Sequence, residues 1–109
     1  MSPKEIDNAT SVAVEKIIKS YFPQKVILFG SSVKGRQHSD SDIDLLIIKD
    51  TKERFIDRWI KVRKIISDPG MRIPIDTLVL TPGEISERLI KGDLFIKEIL
   101  PEGKILYAA

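Results

Sequence analysis

Gly30 to Asp44 reads G-S-S-V-K-G-R-Q-H-S-D-S-D-I-D, and the types and spacing of these residues could do chemistry. A Gly30-Ser31 pair closes an apolar run, a polar stretch follows, and Asp42 and Asp44 open a second apolar run. On a strand, residues two apart project to one face, so the two aspartates share a side at about 7 Å backbone separation. Carboxylates paired in this way beside a small glycine turn suit magnesium carrying a nucleoside triphosphate. Ile43 and Leu45 then face the opposite, apolar side. Asp44 sits at the mouth of an aliphatic run, where a carboxylate is costly unless paired or coordinated. Asp40 continues the alternation within the loop and is read as solvated.

A third carboxylate interrupts Ile73-Pro74-Ile75-Asp76-Thr77-Leu78-Val79-Leu80. If that run lies beside the strand holding Asp44, Asp76 completes a cluster of three acids. Three carboxylates so close repel one another unless a cation neutralises them.

Other readings of these residues fail. Asp40-Asp42-Asp44 copies the opening of an EF-hand loop, but Leu45 and Thr51 stand where glycine and glutamate are required. Gly30 to Gly35 has the glycine spacing of a phosphate-binding P-loop, but Arg36 and Gln37 follow in place of Lys and Ser/Thr. His38, the single histidine, is read as facing water. The chain contains no cysteine, which removes disulfides, thiol nucleophiles and cysteine metal sites.

The elements that position these groups follow from periodicity. Ser2-Pro3-Lys4-Glu5 is a capping-box pattern with proline at the first helical position. Ile6, Ala9, Ala13, Ile17 and Tyr21, widened by Val14 and Ile18, predict a helix to about Tyr21, closed by Pro23. Lys25 to Phe29 is a first strand. Gly30 to Ser41 is a loop, with one helical turn near Ser32 to Lys34. Ile43 to Ile48 is a strand buried on both faces, which calls for helices packed on a central sheet. Asp50 and Glu53 suggest a second capping box, and Phe55, Trp59, Val62 and Ile66 mark the inner face of the helix after it. Ile73 to Leu80 is a third strand. Thr81-Pro82-Gly83-Glu84 caps a short helix through Leu89. Leu94 to Leu100 form another, stopped by Pro101 and Gly103, and Lys104 to Tyr107 add a last edge strand. This order gives an α/β sandwich of two or three layers. Exposed residues of the final short helices either complete the core or make a dimer or partner surface.

The chain has 109 residues, the length of one small domain. Eighteen Lys and Arg stand against 16 Asp and Glu, so overall charge does not point to nucleic acid. No apolar run has the length of a membrane span, the first residues lack a signal segment, and a cytoplasmic location is expected. Lys52, Arg54, Arg58, Lys61, Arg63 and Lys64 outnumber Glu53 and Asp57 on the second helix. They are read as a solvated face rather than an RNA-binding one.

Taken together, these residues resemble a known family. Gly30-Ser31, ten intervening residues and Asp42-Ile43-Asp44 are similar to the signature of the nucleotidyltransferase superfamily related to DNA polymerase β. Ser31-Ser32-Val33-Lys34-Gly35 and Ser41-Asp42-Ile43-Asp44-Leu45 are close to the form found in minimal nucleotidyltransferases, and Phe95-Ile96 to Leu106-Tyr107 resembles the end of such domains. Lys34 stands where arginine is common, which keeps the charge and loses the bidentate fork. The resemblance implies a nucleotidyltransferase-like fold of the α/β (α+β) kind, a small mixed sheet with flanking helices, as one domain over residues 1–109. It implies that Gly30, Ser31 and Ser32 hold the triphosphate with Lys34 and Arg36, and that Asp42, Asp44 and Asp76 are catalytic. Those three acids would hold two Mg2+ ions with ATP as substrate. Minimal members resemble antitoxins that transfer AMP to a tyrosine of a HEPN-domain ribonuclease toxin, a homo- or hetero-oligomeric setting. The alternatives are transfer to a small hydroxylated molecule, as in aminoglycoside nucleotidyltransferases, and a non-catalytic antitoxin that only binds its partner.

Overall fold

A computed structural model describes residues 3–30, 43–70 and 73–109. Helix α1 (Pro3–Tyr21) leads into strand β1 (Lys25–Phe29). Strand β2 (Ile43–Ile48), helix α2 (Phe55–Ile66) and strand β3 (Ile75–Leu80) follow. Helices α3 (Pro82–Ile90) and α4 (Leu94–Glu102) and strand β4 (Lys104–Ala108) complete the chain. The sheet has the order β3-β2-β1-β4, with β2 and β3 parallel and the other two pairings antiparallel. It is therefore mixed, with β3 and β4 at its edges.

Side-chain alternation divides the core into two layers. Ile43, Leu45 and Ile47 of β2 pack with Ile6, Ala13, Ile17 and Tyr21 of α1 and Val62 and Ile66 of α2. Leu46 and Ile48 point the other way, to Leu80 of β3, Ile85 of α3 and Ile96 and Ile99 of α4. A central strand clothed on both faces is why the aliphatic run of β2 is nearly unbroken. The arrangement is a three-layer sandwich. Among the described residues no helix is long and apolar enough to cross a membrane.

Local chemistry sets the boundaries. Phe22 follows α1 with φ 54°, an uncommon left-handed backbone. The Lys49 ammonium donates to the carbonyls of Tyr21 (2.6 Å) and Phe22 (3.3 Å), answering groups that the helix end leaves unpaired. Strand β3 starts at Ile75 rather than Ile73, since Pro74 has no N–H to give the ladder. Thr81 and Glu84 form the expected capping box of α3, with Glu84 N to Thr81 Oγ1 at 3.1 Å and Thr81 N to Glu84 Oε1 at 2.8 Å. The pattern at Ser2 lies outside the described residues.

Two helices, α2 and α4, depart from expectation. Asp50 and Glu53 do not cap α2, which begins at Phe55 after an Arg54 that makes no side-chain cap. Glu53 turns instead to Tyr21 Oη (3.4 Å), Thr51 Oγ1 (3.2 Å) and Lys61 Nζ (2.6 Å). Phe55 and Trp59 are exposed, and the inner face of α2 is Arg58, Val62 and Ile66. Helix α4 passes through Pro101 to Glu102, because the Gly103 N–H still closes the turn on Ile99 O at 2.7 Å.

Arg58 explains the inner face of α2. It is 6% exposed, yet its guanidinium donates to Glu53 O (2.8 Å), Glu84 Oε1 (2.7 Å) and Val79 O (3.5 Å). Charge at a core position is tolerated because these acceptors replace water. Three other cations of the run are engaged, while Lys52 and Lys64 are exposed: Arg54 pairs with Asp57, Lys61 with Glu53, and Arg63 donates to Ile75 O and lies over the Trp59 ring. The basic run is thus a set of local pairs and one buried clasp, not a uniformly solvated face.

Candidate active site

The end of the sheet where β1 finishes and β2 and β3 begin gathers the described chemistry. Phe29 of β1 is the register partner of Asp44 on β2, and Asp44 is the partner of Asp76 on β3. The row Phe29–Asp44–Asp76 therefore crosses three adjacent strands at about 4.8 Å per step. Both acids point to the α3–α4 side, on the same alternation as Leu46, Ile48 and Leu80. The helices on that side stop short of them: Asp44 is half-buried and Asp76 exposed. Parallel pairing of β2 and β3, with α2 as the crossover, is what brings together residues more than thirty positions apart in sequence.

Gly30 completes the corner. Its φ is +81°, a backbone that side-chain-bearing residues rarely adopt. A Cβ there would lie 2.4 Å from Asp44 Oδ2. The turn and the carboxylate are thus in direct contact, and only the smallest residue allows it. Gly30→Ala is expected to cost about 1–2 kcal/mol for the left-handed backbone and to push the Asp44 carboxylate aside. A displacement of that size should lower the rate of any reaction at Asp44 by about a hundredfold. Steady-state turnover beside a melting curve checks this; full activity in the variant would show that the seat of the carboxylate does not matter.

A cleft of about 160 Å³ adjoins Gly30, lined by Phe29, Phe95, Glu98, Ile99, Glu102 and Gly103. The Phe29 and Phe95 rings meet edge to face, with centroids 5.6 Å apart at 85°. A larger cavity, about 470 Å³, opens beside Arg63, Ser67, Asp68 and Ile73 and includes neither Asp44 nor Asp76. Phe95, Glu98 and Glu102 line the cleft without standing out from the apolar composition of α4; their spacing at i, i+3 and i+7, which marks one helix face, is the signal the sequence carries for them. Ile96 and Ile99 are buried while Leu94 is 79% exposed, so α4 both completes the core and presents a surface.

Asp42, Ser31, Ser32, Lys34 and Arg36, with His38 and Asp40, lie outside the described residues. Of the expected site, the described part is Gly30, Asp44 and Asp76, and these three do come together. Among the described residues no three acidic or histidine side chains gather as metal ligands would. Two hard oxygen donors side by side at the rim of the sheet nevertheless fit a divalent cation such as Mg2+, which favours one or two protein carboxylates completed by water and phosphate.

Known proteins give a consistent context. No curated protein matches the sequence. Among solved structures, the fold is similar to that of a Sulfolobus solfataricus protein described as a "putative nucleotidyltransferase". The two share 21% identity and a TM-score of 0.67, over 97% of this chain and 83% of that one, a likeness of fold. The family described as "Polymerase beta, Nucleotidyltransferase" matches residues 13–109, which include all of β1, β2 and β3 and hence Gly30, Asp44 and Asp76. With nearly its whole length accounted for, this chain belongs to the polymerase β-like nucleotidyltransferase family.

Proposed function

We propose that this protein transfers AMP from ATP to a hydroxyl of a partner protein, with Mg2+ held at Asp42, Asp44 and Asp76. The observation that carries the reading is the in-register pair of Asp44 and Asp76 beside a Gly30 turn that admits no side chain. Ser31, Ser32, Lys34 and Arg36 supply hydroxyls and positive charge for the triphosphate in this reading. When bound, the divalent cation offsets the negative charge of the triphosphate and of the leaving group. The acceptor O–H comes in from the open β3 edge, and exposed Asp76 takes its proton. The acceptor oxygen forms a bond to the α-phosphorus, and the bond from that phosphorus to the bridging oxygen breaks. Pyrophosphate leaves with that electron pair.

A protein acceptor, here a HEPN-type ribonuclease toxin silenced by the modification, is favoured by a specific surface. Phe55, Ile56, Trp59 and Ile60 expose four large apolar side chains on one stretch of α2, between 39% and 51% each. An apolar helix face of this kind suits a macromolecular partner better than a small hydroxylated molecule. The test is label transfer from α-labelled ATP with Mg2+ to the co-expressed partner. A labelled partner with a mass increase of one AMP is expected. Complete neutralisation of the partner without nucleotide and without adduct would leave binding, not transfer, as the function.

A further inference from the structure

We propose that the cleft between β1 and α4 is the nucleobase subsite, and that it favours a base with an amino group on its edge. The proposal rests on the nucleotidyl-transfer reading and adds to it where each part of the substrate lies. The cleft is too small for a whole nucleotide and has the scale of one flat ring system. Two of its walls are the Phe29 and Phe95 rings, and Phe95 is 47% exposed, so an incoming ring can reach it. A base has a π-face that stacks on such a surface. Glu98 and Glu102 line the rim. They repel phosphate, so the triphosphate does not lie here. Ionised carboxylates only accept hydrogen bonds and have about four lone-pair positions each, so they can take a further donor beside the interactions they already have within the chain. Adenine offers an exocyclic amino group. Uracil offers one ring N–H between two carbonyls that face the same acids.

The cleft adjoins Asp44 through Gly30. Gly30 is both a wall of the cleft and the residue whose missing Cβ leaves room for Asp44 Oδ2. Along the row Phe29–Asp44–Asp76, the base lies on the β1 side, the phosphates at Asp44, and the acceptor enters over Asp76 at the β3 edge. The tight approach of α4 to β1 fixes the geometry: a Cβ on Gly103 would lie 2.5 Å from Ile27 Cγ2.

Calorimetry with ATP, UTP and inorganic tripolyphosphate, each with Mg2+, tests this. The unsubstituted chain is expected to bind ATP about tenfold more tightly than tripolyphosphate, the scale of one base–aromatic stack. Phe95→Ala should bring ATP down to the tripolyphosphate level and leave tripolyphosphate binding in place, with only the modest fall in melting temperature that losing the edge-to-face pair with Phe29 entails. Glu98→Gln, at an exposed position, should narrow the preference of ATP over UTP. Equal affinity for ATP and tripolyphosphate, or undiminished ATP binding in Phe95→Ala, overturns the subsite while the transfer reading stands. Failure of all three ligands to bind overturns both.

Discussion

Asp44→Asn should reduce nucleotidyl transfer by about a hundredfold to a thousandfold, the order expected for loss of a charge-stabilising group, while the protein stays folded. The substitution keeps shape and removes only charge. Asp44 and Asp76 are adjacent across a parallel pair, and like charges directly opposite one another destabilise a sheet. Asp44 also has an interaction within the chain, so in the absence of cation the melting temperature of the variant should stay close to that of the unsubstituted chain. With Mg2+ and ATP the unsubstituted chain should melt distinctly higher, because a ligand that binds only the native state stabilises it. Transfer at an undiminished rate would remove Asp44 from the chemistry. A large fall in melting temperature would make its role structural.

Arg58→Met should have the opposite profile, costing stability and sparing chemistry. Loss of the guanidinium takes the donor from the Glu53 and Val79 carbonyls and leaves Glu84 Oε1 with the Thr81 N–H alone. Breaking a buried pair from one side costs about 3–5 kcal/mol, and the partly open Glu84 places this case near 3. For a domain of this size that is a fall of roughly 10–20 °C in melting temperature. Arg58→Lys should recover little, since an ammonium is a point charge and cannot fork between these acceptors. The clasp lies at the C-terminal end of β3, whereas Asp76 is near its start, so residual folded protein should turn over normally.

The pair also sets an acid limit. Burial pushes the Glu84 carboxyl up, but the hydrogen bonds from Arg58 and from the Thr81 N–H outweigh it and hold the group below its ordinary value of 4.5. A carboxyl with a depressed folded pKa contributes stability above about pH 4.5, and that contribution is lost as pH falls through the folded value. Denaturant melts below pH 4.5 should show this loss in the unsubstituted chain and a shallower one in Arg58→Met. At the alkaline end, burial and then the charge and hydrogen bond of Glu53 raise Tyr21 to about 12. Its contribution is complete below pH 10 and declines between 10 and 12.

Most of the elements and the identities of the reactive groups were legible in local patterns of the chain. The helical spacing from Ile6 to Tyr21 yields α1, the nearly unbroken Ile43–Ile48 run yields a strand covered on both faces, and Thr81-Pro82-Gly83-Glu84 yields a capped α3. These are local signals, in which period and cap chemistry act within one or two turns. Gly30 and Asp44 were legible because a glycine at a strand end and an acid in an aliphatic run each violate the local rule and so require a reason. Only tertiary structure decided that β3 runs parallel beside β2, which turns Asp76 from an isolated acid into the neighbour of Asp44. It also decided that α2 buries Arg58 and exposes Phe55 and Trp59, against the order of their hydropathies. Periodicity reports how often apolar side chains recur on a helix, but which stripe faces inward depends on the acceptors waiting there. Here Glu53 O, Val79 O and Glu84 come from three other segments, and no reading of α2 alone contains them.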